Sequence, residues 1–257
     1  MYIDTHAHLY SEKFKDDIDD IISRALDSKV NKILMPNIDL ESIKGMHVLA
    51  DKYTDMCYPM MGLHPCSVDK NYKDVLGQMR SYLDSKRKYY GIGETGIDLY
   101  WDISFQKEQV AAFEIQIEWA KEYQLPIIIH SRDSLDLTID IISNYQDGSL
   151  SGIFHCFNGT VDQCRRIADL NFHMGLGGVI TYKNAKLNDM VAYMPQEYML
   201  IETDAPYLSP VPKRGKRNES SYIPYIVDKV CGIRNETLEL ISQYTSLNAQ
   251  KIFKLKH

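Results

Sequence analysis

Two histidines separated by a single residue, His6 and His8, stand in the sequence MYIDTHAHLY, after the apolar pair Tyr2 and Ile3. If this segment is a strand, both imidazoles point to the same side of it, because side chains two residues apart share a face. Two imidazole nitrogens directed at one point could bind a metal ion. A His-x-His pair also occurs without a metal, so this interpretation needs support from elsewhere in the chain.

Further potential ligands lie at the ends of other predicted strands. They are Glu94 in GIGETG, His130 after PIII, His155 after GIF and Asp204 in IETDAP, and His64 in GLHP occupies a similar position. Four imidazoles and two carboxylates exceed the three protein ligands that a catalytic zinc ion takes. They suit two ions that share a bridging carboxylate. Nitrogen and oxygen ligands together suit Zn²⁺, Mn²⁺ or Fe²⁺ and also admit Mg²⁺.

The segments that contain these residues alternate with helix-like stretches. Eight short apolar segments are typical of strands, and several are apolar almost throughout, as strands covered on both faces are. Helical spacing is clearest in Ile18, Ile21, Ile22, Ala25 and Leu26. Further helices are predicted from Gln106 to Tyr123, over DSLDLTIDIISNY, and in the tail from Tyr222 onward, where Ser246 is a candidate N-cap.

This alternation predicts an α/β fold with a parallel sheet and right-handed crossovers. Eight strand–helix units in about 250 residues match a closed (β/α)8 TIM barrel, here with extra C-terminal helices, in a single domain over residues 1–257. The alternative is an open doubly wound sheet. In a barrel the C-terminal ends of the strands meet at one rim, so we expect the potential ligands to converge there.

The composition favours an ordinary globular protein. Of its 257 residues, 44% are hydrophobic and 25% charged, and no apolar run approaches the roughly 20 residues that cross a bilayer. No basic stretch followed by an apolar segment predicts a signal peptide. Five dispersed cysteines without a CxxC pair predict reduced thiols and a cytoplasmic protein. We expect no membrane association, and no obligate protein partner is evident from the sequence. The net charge of -6 argues against strong non-specific binding of nucleic acid, but it allows a substrate that is bound locally.

Six motifs together resemble the TatD-type metal-dependent deoxyribonucleases, a branch of the amidohydrolase-like barrels. They are DTHAHL, GLHP, GETGIDLY, IIIHSRD, HCFNG and IETDAPYL, in the family's order, and the resemblance extends from residue 1 to about residue 219. It implies that His6, His8 and Asp204 bind a first metal ion and that Glu94 bridges to a second. Related amidohydrolases bridge with a carboxylated lysine, so Glu94 favours the TatD branch over the cyclic-amide hydrolases.

The resemblance also assigns His130 and His155, with Glu94, to the second ion. It implies that His64 contacts a substrate phosphate, although a rim histidine held by the backbone would show the same motif. Arg132 could meet phosphate oxygens or form a structural ion pair. The segment RGKRNES resembles the family loop GxRNEP, with Arg217 as a substrate contact and Ser220 in place of the usual proline.

The reaction that these features predict is hydrolysis of DNA phosphodiester bonds, releasing nucleotides from an end. Two divalent ions would lower the pKa of water towards roughly 7, so that hydroxide attacks phosphorus in line. Glu94 and Asp204 are the predicted catalytic residues, with Asp204 orienting or deprotonating the water. Glu202 would either support a neighbouring ligand or form an interior ion pair, and we favour the ion pair.

The substrate is expected to be single-stranded DNA or a frayed end, because the basic residues are too few to grip a duplex. A basic run and four aromatic residues follow strand ends near the predicted site: Lys213, Arg214, Lys216 and Arg217, and Tyr100, Trp101, Tyr182 and Tyr207. Two alternatives remain. One is hydrolysis of another ester or amide bond, in an aminoacyl-tRNA or a small amide or lactone, and the other is a barrel that binds metal or nucleic acid without catalysis.

Overall fold

The computed structural model describes residues 1–256, which form eight short strands and nine α-helices in alternating order. The strands are β1 (Tyr2–Asp4), β2 (Val30–Pro36), β3 (Cys57–Met60), β4 (Ile92–Asp98), β5 (Ile127–Arg132), β6 (Gly152–Phe154), β7 (His173–Leu176) and β8 (Met199–Ile201). The helices are α1 (Ile18–Asp27), α2 (Ser42–Lys52), α3 (Tyr72–Leu83), α4 (Gln106–Tyr123), α5 (Leu135–Tyr145), α6 (Val161–Asp169), α7 (Asn188–Tyr193), α8 (Ile223–Arg234) and α9 (Leu238–Ile252).

All neighbouring strands are parallel and follow one another in chain order. They form a sheet of β1, β2 and β3 and a second sheet of β4 to β8. Parallel bridges join the two sheets on both sides, Met61 with Ile92 and Ala7 with Ala205. In the second bridge the His8 amide donates to the Ala205 carbonyl at 2.7 Å. The predicted TIM-barrel-like α/β fold is therefore confirmed, and the open sheet is not.

The helix predictions hold with two corrections. In α1, Ile21, Ile22 and Ala25 are buried as expected, but Leu26 is 52% exposed because it lies at the edge of the apolar stripe. Ser246 does not begin a helix. It lies inside α9, whose N-cap is Thr237, and its hydroxyl donates to the Met1 carbonyl at 2.9 Å.

An apolar cluster and helix α9 close one end of the barrel. The cluster takes Ile3, Leu34, Met60, Ile128, Ile153 and Leu200 from six strands and Ala249, Phe253 and Leu255 from α9 and the residues after it. In the strands that carry a potential ligand, the cluster residue precedes that ligand in the chain, as Ile128 precedes His130. The cluster therefore fills the N-terminal end of the barrel, and the polar residues are left at the opposite rim.

None of the helices within residues 1–256 combines the length and the apolar character needed to cross a bilayer.

Candidate metal centre

The carboxylate of Glu94 lies between two pairs of imidazoles at the C-terminal rim. Its Oε2 is 3.1 Å from His6 Nε2 and 3.3 Å from His8 Nε2. Its Oε1 is 2.9 Å from His155 Nε2 and 3.0 Å from His130 Nδ1. Each carboxylate oxygen thus faces a different pair of nitrogens, which is the arrangement of a carboxylate that joins two ligand groups.

Asp204 completes the group around His6 and His8. Its Oδ1 lies 3.4 Å from His8 Nε2 and 3.7 Å from His6 Nε2. The backbone holds it there, because the Asp204 amide donates to the His6 carbonyl at 2.9 Å, so β1 and the segment after β8 are in register. These three side chains form one of the clusters whose potential ligand atoms lie within 4.8 Å of one another.

Glu94 reaches the centre from within β4 rather than from its end. The strand continues to Asp98, and its glycines let β4 and β5 approach closely. Gly96 has φ +133, and a Cβ at this position would lie 2.1 Å from the His130 carbonyl oxygen. Only glycine fits such a position. The motif GETGID therefore both supplies the carboxylate and brings it beside His130.

Hydrogen bonds on the outer side of three rings orient them. His130 Nε2 donates to Asp98 Oδ2 at 2.9 Å, and His155 Nδ1 donates to Glu202 Oε1 at 3.3 Å. His8 Nδ1 lies 2.9 Å from the hydroxyl of Tyr10, and that hydroxyl donates to a backbone carbonyl, so it accepts from His8. With the outer nitrogen protonated, the inner nitrogen of each neutral ring directs its lone pair at the centre, as in metal-binding histidines.

The ring of His64 has the opposite pattern of hydrogen bonding, with an acceptor on its outer side. Its Nδ1 accepts a hydrogen bond from the Cys66 amide at 3.0 Å, so in the neutral ring Nε2 carries the proton. That Nε2 faces Glu94 Oε1 at 3.4 Å. The structure therefore brings His64 to the centre as predicted, and it presents a hydrogen-bond donor there rather than a lone pair.

The electrostatics of the centre are those of a buried carboxylate among imidazoles. Burial disfavours the charge of Glu94, but His155, His64 and His6 outweigh it and hold the pKa of Glu94 well below its usual value. Burial likewise opposes the charged form of His155, while Glu94 and Glu202 raise its pKa well above the ordinary value. The positive charge that this site favours can be supplied by protons or by a divalent cation that displaces them.

Two contacts between ring nitrogens support a cation. His6 Nε2 and His8 Nε2 are 3.2 Å apart, and His130 Nδ1 and His155 Nε2 are 3.3 Å apart. In the second pair both outer nitrogens carry protons, so two lone pairs face each other and repel unless a positive charge lies between them. Imidazole nitrogens with carboxylate oxygens are also the donors that Zn²⁺ and Mn²⁺ take. The residues present therefore fit divalent metal binding.

The two predicted arginine contacts differ in position. Arg132 lines the cavity of about 610 Å³ above Glu94. Arg217 does not line that cavity in the part of the chain that the structure describes. Its guanidinium donates to Asp17 at 2.9 Å and to the Lys13 carbonyl. The donors of Arg217 are therefore taken by groups on the outer side of the barrel, and its role as a substrate contact stays a prediction.

The remaining members of the basic run also lie outside the residues that line the cavity within positions 1–256. The Arg214 guanidinium stacks on Tyr182, 3.9 Å from the ring centroid, and Lys213 lies near Tyr222. The run therefore covers aromatic rings beside the rim. Of the four predicted aromatic residues, Trp101 and Tyr207 line the cavity itself.

Sequence reasoning missed two residues that position ligands. Asp98 and Tyr10 hold His130 and His8, and each had a signal: Tyr10 lies two residues after His8, and Asp98 follows Glu94 in the same strand. Glu202 was expected to form an interior ion pair. It does contact a histidine, and its Oε1 also accepts from the Cys156 amide at 2.6 Å, so it supports the His155 ring. A Cβ at Gly175 would lie 2.0 Å from Glu202 Oε2, so the glycine makes room for it.

Known proteins share this arrangement of strands and motifs. The family model described as TatD related DNase matches residues 3–254. The chain belongs to the TatD family. It is a metal-dependent hydrolase of that family, as are the curated relatives that it matches. The TatD relative from Bacillus subtilis (strain 168) named uncharacterized metal-dependent hydrolase YabD is 36% identical over 256 residues, with 99% of this chain and 100% of the relative covered.

Other TatD proteins are more distant in sequence but similar over the full length. The protein of Pantoea ananatis (strain LMG 20103) named 3'-5' ssDNA/RNA exonuclease TatD is 29% identical, with 98% of this chain and 99% of that protein covered. The crystal structure of YjjV, a TatD homologue from Escherichia coli K12, superposes with a TM-score of 0.93 at 30% identity, over 99% of this chain and 98% of that one.

Proposed function

We propose that the protein is a nuclease that hydrolyses phosphodiester bonds of single-stranded DNA from an end, with two divalent metal ions. The observation that supports this best is the position of Glu94, whose two oxygens face two separate pairs of imidazoles. The name of the Pantoea ananatis relative adds support for a single-stranded nucleic acid substrate. The net charge of -6 fits a substrate bound at this site rather than along a broad basic surface.

The ligands divide into two groups in this proposal. His6, His8 and Asp204 would hold the first ion, His130 and His155 would hold the second, and the carboxylate of Glu94 would serve both. When bound, the ions supply Lewis acidity, which polarises a phosphodiester and lowers the pKa of water to about 7. Zn²⁺, Mn²⁺, Fe²⁺ and Mg²⁺ are all compatible with this donor set. Its four imidazole nitrogens favour Zn²⁺, Mn²⁺ and Fe²⁺ over Mg²⁺.

The protein's own side chains have distinct roles around the reacting groups. Asp204 is placed to orient the attacking water and to accept its proton, because its carboxylate faces the cavity beside His8. His64 donates from Nε2 to a non-bridging phosphate oxygen, in place of its contact with Glu94. Asp98, Tyr10 and Glu202 keep the ligand rings oriented during the reaction.

An assay with labelled single-stranded DNA tests the proposal. The protein is treated with EDTA, which we expect to abolish cleavage, and Mg²⁺, Mn²⁺ or Zn²⁺ is then restored separately. A control reaction with an aminoacyl ester distinguishes the alternative hydrolase activities. Metal-restored cleavage of DNA supports the proposal, whereas cleavage of the ester alone, or DNA cleavage that persists after EDTA, contradicts it.

We also propose that the protein works in the cytoplasm. All five cysteines are free, as reduced thiols are in that compartment.

A further inference from the structure

Two exposed aromatic residues follow β4 at the mouth of the cavity. Tyr100 is 53% exposed and Trp101 is 70% exposed. Their rings meet edge to face, with centroids 4.9 Å apart. Trp101 lines the same cavity as Glu94 and His130, so an indole that is mostly open to solvent stands beside the metal centre. Aromatic rings exposed in this way offer faces on which unpaired bases can stack.

A cation stacks on these rings. The guanidinium carbon of Arg132 lies 3.6 Å from the ring centroid of Tyr100 and 5.2 Å from that of Trp101. Within residues 1–256, no acidic side chain forms an ion pair with Arg132 or Arg214, whereas the other arginines each form at least one: Arg24, Arg80, Arg87, Arg165, Arg166, Arg217 and Arg234. Stacking uses the face of the guanidinium and leaves its edge donors available to an anion.

Asp98 ties this aromatic turn to the metal centre. Its Oδ1 accepts from the backbone amides of Tyr100 and Trp101 at 3.0 and 3.3 Å. Its Oδ2 accepts from His130 Nε2 at 2.9 Å. Asp98 is 2% exposed, and its own amide donates to Gln109 Oε1 at 2.9 Å. This bond ties Asp98, at the end of β4, to helix α4. One carboxylate therefore sets both the orientation of a ligand ring and the position of the exposed indole.

We propose that Tyr100, Trp101 and Arg132 form a nucleotide subsite next to the reacting phosphodiester. Trp101 stacks on an unpaired base, and the edge of Arg132 binds a phosphate of the same strand. Asp98 fixes the distance between this subsite and the metal centre. The inference rests on the proposed function, since it names the part of the substrate that the same cavity holds. A base inside a duplex has both faces covered, so this subsite selects single strands.

Tryptophan fluorescence reports on the subsite directly. The chain has two tryptophans, and Trp119 is buried at 4% exposure. In the Glu94→Gln variant, used to prevent turnover, titration with an oligothymidylate of about eight nucleotides should quench the emission of Trp101 in a saturable way. In the same Glu94→Gln background, a second substitution Trp101→Phe should remove the quench. The substitution Trp119→Phe should leave the quench unchanged. A saturable quench that survives Trp101→Phe, or binding without any quench, overturns the subsite.

Steady-state kinetics separate the subsite from the chemistry. We expect Trp101→Leu and Arg132→Lys to raise KM for the oligonucleotide about 10-fold, from the loss of one stacked base or one paired phosphate. The effect on bis(p-nitrophenyl) phosphate, which has no base, should be smaller. Trp101→Phe should restore most of the affinity. Tyr193→Leu is the matched control, since Tyr193 is 46% exposed on α7 and does not line the cavity.

The outcomes distinguish the two proposals. Cleavage of the oligonucleotide with an unchanged KM in Trp101→Leu, or an equal loss on both substrates, overturns the subsite and leaves the nuclease function intact. Hydrolysis of neither substrate by the metal-loaded wild-type protein, without any quench of Trp101, overturns both. A quench together with a KM effect confined to the oligonucleotide supports both.

Discussion

The side-chain amide of Asn218 donates to the backbone carbonyl of Thr203 at 2.7 Å, directly before Asp204 in the chain. Its second hydrogen goes to the carbonyl of Tyr207 at 2.6 Å. Asn218 is fully buried, and its Oδ1 accepts from the Glu219 amide at 2.9 Å. One side chain therefore binds both sides of the turn that presents Asp204. These hydrogen bonds give a structural role to the asparagine of the RNE segment, which resembles the family loop.

Replacing Asn218 should weaken metal binding at a distance. In Asn218→Ala the turn loses both bonds and Asp204 is less precisely placed, so we expect the affinity for a divalent ion to fall about 10- to 100-fold. Competition with a chromophoric chelator measures this. Asn144→Ala, at an exposed position of α5, is the control. An unchanged metal affinity in a folded Asn218→Ala protein would refute the positioning role.

Glu94 should be the most sensitive position for activity. Glu94→Gln keeps the shape of the side chain but removes the charge that faces both pairs of imidazoles. We expect cleavage of single-stranded DNA to fall on the order of 10³-fold, which corresponds to about 4 kcal/mol of lost transition-state stabilisation. His155→Ala should have a comparable effect. Circular dichroism checks that both variants are folded, and metal-loaded Glu94→Gln that cleaves at the wild-type rate would exclude the bridging role.

Arg217 and Arg24 provide a matched pair for testing whether Arg217 contacts the substrate. Arg217 pairs with Asp17, and Arg24 pairs with Glu219 at 2.8 Å, so both fasten the loop after β8 to α1. We expect Arg217→Gln and Arg24→Gln each to lower the free energy of unfolding by roughly 0.5–1 kcal/mol, because both pairs are partly exposed. The KM values of both variants for DNA should equal that of the wild-type protein. A rise in KM confined to Arg217→Gln would restore Arg217 as a substrate contact.

His173 should make the protein sensitive to mild acid. It lies at the start of β7, 8% exposed, and burial, with a smaller effect of Lys251, lowers its pKa from 6.5 to about 4. Below pH 6.5 the unfolded chain binds a proton that the folded chain does not take up until about pH 4. Stability is therefore complete above pH 6.5 and falls towards pH 4, by up to about 3 kcal/mol.

Urea unfolding at neutral pH and at about pH 5 measures this contribution. The difference between the two pH values should be smaller in His173→Gln than in the wild-type protein, because the variant has no imidazole to protonate at this position. If both proteins lose the same stability on acidification, His173 is not the acid-sensitive group.

The barrel and the convergence of the candidate ligands at one rim were predictable because they depend on short-range patterns. Apolar segments of strand length and the i, i+2 spacing of His6 and His8 are readable in a single sequence, and parallel strands bring their ends together. The partner of Arg217 was not predictable, since Asp17 is 200 residues away along the chain. The donor role of His64 depends on a backbone amide in the loop after it, and loops leave no periodic signal.

The bond between the Asp204 amide and the His6 carbonyl joins residues from opposite ends of the chain. During synthesis, Glu94 follows His6 by 88 residues and Asp204 follows by about 200, so the group around His6 and His8 stays incomplete until the segment after β8 has been made. The full set of candidate ligands is therefore available only late in synthesis, once β8 has been made. A chain that ends before residue 204 keeps five of the six candidate ligands but lacks the carboxylate that completes the group around His6 and His8, so the proposed activity requires a polypeptide that extends through β8 and the turn after it.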